Sequence, residues 1–497
     1  MTRRLGAALY VALLLALVAA WVRNAWLMPL RNYAFDFQIN YTGSRLIEPF
    51  GPDRPLYDRL TLWLEAQPYT TFPTLYTKLY LTYIQTPITA VVTLPFSRLP
   101  WEVARASFLT VSNVLLVAAA ALMVMALRPS RLLILAAFLI FGTYEAMFDS
   151  LRLGQVDAII VFCLALAFTL QRRGPRPLAG APLALAAILK LSPGIVIGWL
   201  LWQRQWRVVA AAAMSLALLL TVSVAIAGWD NHVTFMRDIS PKLAKGSAFY
   251  DNISIAGAVG RAHFRDELRA VSGQESWFYE DELPDWPAAL RLALLALDAA
   301  IVVAAFAVAR RNEELGFMLA IAVALLISPV TWSFYPTWLI PCLLWLVRRY
   351  EDRRAWRSLA ALATLYPMIA IVPAHYQDVF GAGFYAVPFK TAVLTAFVSC
   401  WRWRPGWEAR FPSGASGPAG RGRPRRRPPS AAEPHRDKGA DPWRDASSRR
   451  RAAPATRPLP QVPGGVRPSS RSRSSPSQWR RCSWPAGWRR WRCGPTS

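Results

Sequence analysis

The sequence predicts an all-α membrane protein, a multi-spanning helical bundle of about 10–12 transmembrane helices with large outer loops. The chain has 497 residues, of which 54% are hydrophobic and 22 are tryptophans. Apolar runs near the roughly 20 residues that cross a bilayer recur along its first 404 residues, too often for a soluble core. Arginine and lysine cluster in short polar loops between those runs, which is the positive-inside pattern of cytoplasmic loops.

The candidate spans follow in chain order. The first, near 5–28, is predicted to be retained, because its apolar run exceeds a usual signal sequence and lacks a clear small-residue cleavage site. The remaining spans are predicted near 82–97, 103–127, 131–148, 156–170, 178–202, 207–228, 290–309, 314–330, 334–347, 358–373 and 385–402.

Two long polar stretches, at about 29–80 and 229–289, are predicted to lie outside the membrane. If every segment crossed fully, the basic loop at Arg128–Arg131 would fall on the wrong side, so either 82–97 is re-entrant or interfacial, or that loop breaks the rule. Segment 178–202 has basic loops at both ends. It is therefore predicted to be a hairpin of two half-helices broken at Lys190-Leu-Ser-Pro193.

Two domains are predicted, a transmembrane domain over 1–404 and a disordered tail over 405–497. The tail has 21 Arg and Lys against 5 Asp and Glu, so it carries +16 of the total net charge of +27. Rich in arginine, proline and serine, it cannot bury enough apolar surface to fold. It is either an arm that touches anionic lipid or a segment with no specific role. Because most of the excess charge sits there, no nucleic-acid partner is predicted.

Asp36 is the strongest candidate for chemistry. It follows the first span and is flanked by aromatic and apolar residues. Partial desolvation at a membrane surface would raise the basicity of its carboxylate, which suits a general base. The alternative is an acid that caps a helix start.

Three further polar residues lie at or inside predicted spans. Gln155 and Asp157 stand at an outer helix end, where they either bind a polar ligand or cap the helix. Lys190 interrupts an apolar run, where a lysine is costly, so it either meets a phosphate in a cavity or extends to the interface.

The other candidates lie in outer segments. Asn252, Ser254 and Arg261 belong to the second long loop, and the Asn-x-Ser pattern also matches a glycosylation acceptor, a motif that is commonly accidental. Trp332 and Tyr335 either form an aromatic belt or stack on a sugar or lipid. No Walker, zinc or nucleophile-elbow motif is present.

Taken in order, these elements resemble glycosyltransferase family 87, polyprenyl-phosphate-mannose-dependent membrane enzymes with the type C glycosyltransferase fold. The resemblance spans about 30–345 and consists of short motifs rather than one signature. The matching elements are Asp36-Phe37 with Tyr41, Gly51 to Tyr57, Tyr83 to Pro87 with Pro95, Gly154-Gln155-Val156, Leu189 to Pro193, Asn252 with Ser254 and Arg261, and Ser328-Pro329 with Trp332.

The sequence departs from the family pattern at two places. Asp157 stands where the family usually has asparagine, which adds a charge near the site. Phe334 stands where a histidine is common, so any role of that histidine does not carry over.

The resemblance implies transfer of a hexose, mannose being expected, from a polyprenyl-phosphate donor to a glycolipid or glycan at the outer face of the cytoplasmic membrane. Asp36 is then the catalytic base. The implied substrate-binding residues are Tyr41, Tyr57, Gln155, Asp157, Lys190, Asn252, Ser254, Arg261, Trp332 and Tyr335.

The implied partners are the donor, the acceptor and the bilayer. No obligatory cofactor and no metal ligand is expected, and a divalent ion on the leaving phosphate stays open. Two other functions remain at this point. One is a transporter or flippase of lipid-linked oligosaccharide, and the other is a polymerase of lipid-linked repeat units.

Overall fold

A computed structural model describes residues 2–32, 34–47, 55–66, 83–247, 252–264 and 285–370. Within these ranges the chain is helical and forms no β-strand. The one β feature there is an isolated bridge between Asn252 and Trp332. The predicted all-α class is confirmed. The predicted span 385–402, the tail 405–497 and parts of both long loops lie outside the described residues.

The first half of the chain builds the bundle up to the helix that follows Gly154. A π-helical turn, Val22–Leu27, separates the first two helices. The helices are α1 (Thr2–Trp21), α2 (Met28–Arg31), α3 (Phe35–Ile47), α4 (Arg59–Ala66), α5 (Pro87–Ser97), α6 (Trp101–Leu127), α7 (Arg131–Thr143), α8 (Glu145–Leu153) and α9 (Asp157–Arg173).

The second half contains the broken segment, the described parts of the second long polar stretch and the central buried helix. Short 3₁₀ turns occur at Arg176–Ala179 and Tyr335–Leu339, and a second π-helical turn at Phe235–Ile239. The helices are α10 (Gly180–Leu189), α11 (Gly194–Trp202), α12 (Trp206–Ala227), α13 (Trp229–Thr234), α14 (Ser240–Lys245), α15 (Ile255–His263), α16 (Ala288–Ala309), α17 (Glu313–Ile327), α18 (Ile340–Asp352) and α19 (Trp356–Ala370).

Four uninterrupted stretches of the described chain are long and apolar enough to cross a membrane: Arg4–Arg31, Trp101–Leu127, Trp206–Ala227 and Ala288–Ala309. Helices α7 and α8 together make a fifth if their 50° bend is counted within one span. The protein is therefore a multi-pass membrane protein. Several other predicted spans contain shorter helices, because hydropathy detects an apolar run but not the places where its backbone breaks.

The predicted break at Lys190 is confirmed. Helix α10 ends at Leu189, Lys190 is extended with φ −141° and ψ 130°, and α11 begins at Gly194. Pro193 lacks the N–H that a continuous helix requires at that position. The non-helical residues place a lysine side chain inside the protein, in line with the tolerance of broken helices where they border a cavity.

Helix α5 determines how α3 sits on the bundle. Its 11 residues span roughly 16 Å, about half the thickness of the hydrocarbon core, so α5 is too short to cross it. Helix α3 packs on α5, where Ser44 Oγ lies 2.6 Å from Thr93 Oγ1 and donates to the Ala90 carbonyl at 2.8 Å. This packing fixes the helix that carries Asp36.

Helix α17 is the buried centre of the bundle. Every residue from Leu315 to Leu326 is buried, as expected for a helix that is apolar all round. Gly316 allows the Trp199 ring of α11 to approach, because a β-carbon at Gly316 would lie 2.0 Å from that ring. The packing brings the end of α17, at Ser328, beside Lys190.

Candidate active site

Asp36 lies in the first turn of α3, at the end of the helix where the macrodipole favours a negative charge. The turn before it is strained, since Ala34 has φ 52°, a left-handed conformation that a residue with a β-carbon rarely adopts. Ala34 is buried, and the Asp36 side chain is partly buried. Asp36 therefore lies two residues after a buried residue with a left-handed backbone.

Gln155 connects this turn to a distant part of the chain. Its Nε2 donates to Asp36 Oδ2 at 2.6 Å. The contact depends on Gly154, which ends α8 with φ 71° and lies directly against α3. A β-carbon at Gly154 would lie 2.4 Å from Phe37 Cβ. Glycine therefore serves both the turn and the close approach of the two segments.

We expect Gly154→Ala to destabilise the protein by about 1–3 kcal/mol, because it adds a clash with Phe37 to an unfavourable φ. A thermal unfolding scan in detergent should show the lower midpoint. Gly198→Ala is the matched control, because a β-carbon there meets nothing within 4 Å. Equal midpoints for the two variants would contradict this account of Gly154.

Asp157 and Lys190 form a buried ion pair. Lys190 Nζ lies 2.7 Å from Asp157 Oδ1, and the two side chains are 6% and 0% exposed. Asp157 accepts two further hydrogen bonds, from Trp338 Nε1 to Oδ1 at 2.9 Å and from Ser150 Oγ to Oδ2 at 3.2 Å. Lys190 Nζ also lies 3.4 Å from Gln155 Oε1, so a polar chain runs from Asp36 through Gln155 and Lys190 to Asp157.

Aromatic rings enclose the lysine. Lys190 Nζ lies 3.6 Å from the centre of the Tyr335 ring, a cation–π distance, and 5.5 Å from that of Phe334. The Tyr335 ring stacks on Trp338 with centroids 5.1 Å apart. Phe334 therefore forms one side of the lysine environment.

A cavity of about 200 Å³ opens beside the lysine, and we call it the site cavity. It contains both polar and apolar walls, as expected of a pocket for a ligand with a polar head and an apolar chain. Its lining includes Lys190, Ser192, Phe235, Ser328, Trp332 and Tyr335.

The electrostatics favour proton acceptance by Asp36. Burial raises the pKa of Asp36 to about 6, and the hydrogen bond from Gln155 and the charge of Lys190 oppose that rise. At neutral pH the carboxylate is still mostly ionised, yet it is more basic than an ordinary aspartate. A base of this strength suits proton transfer near physiological pH.

The structure brings together five of the residues selected from the sequence: Asp36, Gln155, Asp157, Lys190 and Tyr335. Of these five residues, Lys190 and Tyr335 line the site cavity, and so does Trp332.

Two other candidates have structural contacts near the site. The Tyr41 hydroxyl donates to the Leu99 carbonyl at 2.8 Å, and its ring contacts Trp101. The Tyr57 hydroxyl donates to the carbonyl of Gln85 at 2.9 Å, and Gln85 lines the site cavity.

Asn252 and Ser254 attach the start of α15 to the segment that follows α17. Both side chains donate to the Pro329 carbonyl, at 3.2 and 3.0 Å, and Asn252 Oδ1 accepts from the Thr331 backbone at 2.9 Å. Ser254 also caps α15 by accepting from the Gly257 N–H. Arg261 is buried in α15. The Asn-x-Ser pattern here orders the loop that carries Ser328 and Trp332.

Sequence reasoning missed Trp338 and Ser150, which hold Asp157. Their only sequence signal is weak. Trp338 follows Tyr335 by three residues in an aromatic-rich stretch, which is equally typical of core packing. In the described ranges, no three His, Cys, Asp or Glu side chains come together in a way that could hold a metal ion.

Comparison with known proteins identifies the enzyme class. The model of the family described as "Glycosyltransferase family 87" matches residues 83–329. The chain is a hexosyltransferase that is similar to glycosyltransferase family 87 over this range. The match includes Gln155, Asp157, Lys190 and Asn252, and the enzyme function is confirmed over the transporter alternative. Asp36 lies before the matched range.

Two mycobacterial proteins that are similar to this chain share the same printed name, "Polyprenol-phosphate-mannose-dependent alpha-(1-2)-phosphatidylinositol mannoside mannosyltransferase". The protein of Mycobacterium tuberculosis is 26% identical over 369 residues, which is 68% of this chain and 82% of the relative. That of Mycolicibacterium smegmatis is 25% identical over 279 residues, covering 53% of this chain and 60% of the relative. A second M. smegmatis protein, named as a pentamannoside mannosyltransferase, is 26% identical over 204 residues.

Proposed function

We propose that this enzyme transfers mannose from polyprenol-phosphate mannose to a hydroxyl of a glycolipid or glycan at the outer face of the cytoplasmic membrane. The observation that carries the proposal is the contact of Asp36 with Gln155 beside a cavity that contains Lys190. The names of the mycobacterial relatives support polyprenol-phosphate mannose as the donor and a glycolipid as the acceptor. The basic loops, which the positive-inside rule assigns to the cytoplasm, support an active site at the opposite, outer face.

The donor's sugar phosphate occupies the site cavity, with the polyprenyl chain leaving toward the bilayer. The acceptor hydroxyl attacks the anomeric carbon, and Asp36 takes its proton. The bond between that carbon and the phosphate oxygen breaks, with inversion, and polyprenyl phosphate departs with the electron pair. No covalent enzyme intermediate is needed in this single displacement.

Lys190 stabilises the charge that develops on the leaving phosphate. Its three N–H groups exceed what Asp157 accepts, and the residue lines the site cavity. In a site from which water is excluded, such a fixed charge contributes more than it would in water. Asp157 is fully buried and accepts from three side chains, so we assign it to positioning Lys190 rather than to contacting substrate.

Gln155 positions the base. One end of its amide donates to Asp36 and the other faces Lys190 Nζ. It therefore sets the distance between the residue that accepts the proton and the residue that faces the phosphate. Trp332 and Tyr335 border the space where the sugar ring would lie, and stacking on a sugar is a common role of such rings.

The proposal predicts a dependence of transfer on pH. Because the base must be ionised, and burial raises the pKa of Asp36 to about 6, kcat/KM should be constant above that value and fall below it. At pH 5 the rate should be about tenfold below its plateau. Purified enzyme in proteoliposomes with radiolabelled donor provides the measurement.

Gln155→Leu supplies the matched variant for that profile. Removal of the hydrogen bond that lowers the pKa of Asp36 should move the falling limb to higher pH. A wild-type rate that stays flat down to pH 5 would contradict the assignment of Asp36 as the base.

A further inference from the structure

A second cavity lies at the other end of the bundle. Helix α9 begins at Asp157, beside the site cavity, and its last turn borders the second cavity, roughly 25 Å away along the helix. The second cavity has a volume of about 140 Å³, and we call it the basic-end cavity. Its polar lining is Gln171, Arg172, Arg176, Gln205, Glu313 and Glu314.

Three buried amide atoms in this lining have no hydrogen-bond partner. Both Nε2 and Oε1 of Gln171 are buried without a hydrogen bond, and so is Oε1 of Gln205. Buried polar atoms are normally paired, because an unmade hydrogen bond costs more than a formed one gains. A group that both donates and accepts, such as a hydroxyl, would pair with this arrangement of one donor and two acceptors.

Arg176 also lines this cavity, and the ion pair that it forms with Glu313 is weak. Arg176 Nη1 is 3.5 Å from Glu313 Oε2, and the two side chains are 56% and 53% exposed. An exposed ion pair of this length contributes little. Arg172 is engaged more firmly, since it pairs with Glu314, which also accepts from Trp345 Nε1 at 2.9 Å. Arg176 is thus the guanidinium that can turn to a phosphate.

The surroundings add positive charge and an apolar floor. Arginines at this end of the bundle that form no ion pair within the described ranges include Arg173, Arg204, Arg207, Arg310 and Arg311. Unpaired basic residues next to a membrane attract anionic lipid. Phe168, Leu200 and Phe317 line the apolar side of the cavity, where the start of an acyl chain would pack.

We propose that the basic-end cavity binds the headgroup of a hydroxylated anionic phospholipid. The phosphate pairs with Arg176, and headgroup hydroxyls pair with the amides of Gln171 and Gln205. The inference does not depend on which sugar the enzyme transfers. Helices α9 and α17 each run from one cavity to the other. Asp157 begins α9 and Ser328 follows α17 at the site cavity, so a lipid bound at the basic-end cavity would hold the opposite ends of both helices.

Native mass spectrometry of the delipidated full-length protein in detergent tests the proposal. The probes are phosphatidylglycerol and phosphatidylinositol, compared with phosphatidic acid, which has no headgroup hydroxyl, and phosphatidylethanolamine, which has no net negative charge. We expect the two hydroxylated anionic lipids to bind about tenfold more tightly than either comparison lipid. Arg176→Gln and Gln171→Leu should each lose about that factor, and the matched control Arg173→Gln should not.

Several results would overturn the proposal. Equal retention of all four lipids by the wild-type protein would show that the cavity does not recognise a headgroup, and this comparison stands even if a variant fails to fold. Equal losses in Arg173→Gln and Arg176→Gln would show diffuse charge attraction instead of a site. Displacement of the lipid by millimolar inorganic phosphate would show a phosphate site in place of a lipid site.

Discussion

Asp36→Asn should lower mannosyl transfer by about 10²–10⁴-fold while the protein keeps its fold and its affinity for donor. The substitution keeps the size of the side chain and its contact with Gln155, but asparagine cannot accept the proton of the acceptor hydroxyl. The loss should therefore appear in the rate of single-turnover transfer with radiolabelled donor, and not in donor binding measured on the same preparation.

Asp230→Asn is the matched control, because Asp230 is an exposed acid of the second outer stretch. It should transfer at the wild-type rate. If Asp36→Asn retained more than a tenth of the activity, or lost donor binding together with activity, Asp36 would not be the base.

Lys190→Met should have the largest effect on stability among single substitutions at the site. It leaves the carboxylate of Asp157 buried with no cation, which costs about 3–5 kcal/mol. Transfer should fall as well, because no fixed charge then faces the leaving phosphate. Thermal unfolding in detergent and the transfer assay measure the two effects separately.

The double substitution Lys190→Met with Asp157→Asn separates structure from catalysis. It removes both charges of the pair, so stability should return to within about 1 kcal/mol of the wild type. Activity should stay low, because the cation is still missing. Recovery of activity along with stability would show that Lys190 serves the fold alone.

The exposed pair of Lys245 and Asp285 is the control for these variants. Its atoms lie 2.6 Å apart, but the side chains are 41% and 88% exposed. Lys245→Met should therefore change the midpoint of unfolding very little, since exposed pairs contribute about 0–1 kcal/mol.

The sequence predicts the parts of this protein that depend on local chemistry. A lysine followed closely by proline within an apolar run interrupts a helix, and α10 and α11 separate at those residues. The long spans at α6, α12 and α16 also follow directly from their uninterrupted apolar runs.

Other parts depend on contacts between distant residues. Asp36 and Gln155 are 119 residues apart, and no spacing rule brings them together. Only the order of family motifs suggested that they share a site. The strained turn at Ala34 and the contact of Gly154 with Phe37 make this juxtaposition, and both arise from tertiary packing.

The Asn-x-Ser element shows why residue type alone is ambiguous. Asparagine and serine at this spacing suit a ligand site, but they also suit a helix cap with local backbone hydrogen bonds. Asn252 and Ser254 use their side chains in the second way. Trp338 is the opposite case, because an aromatic residue in an apolar segment gives no sign that its indole N–H binds a buried carboxylate.

The role of Asp36 can be tested with a structure of the enzyme bound to an unreactive phosphonate analogue of the donor. We expect the phosphonate group to lie in the site cavity within hydrogen-bonding distance of Lys190 Nζ, with the anomeric carbon facing Asp36. A phosphonate bound elsewhere, or an anomeric carbon directed away from Asp36, would contradict this role.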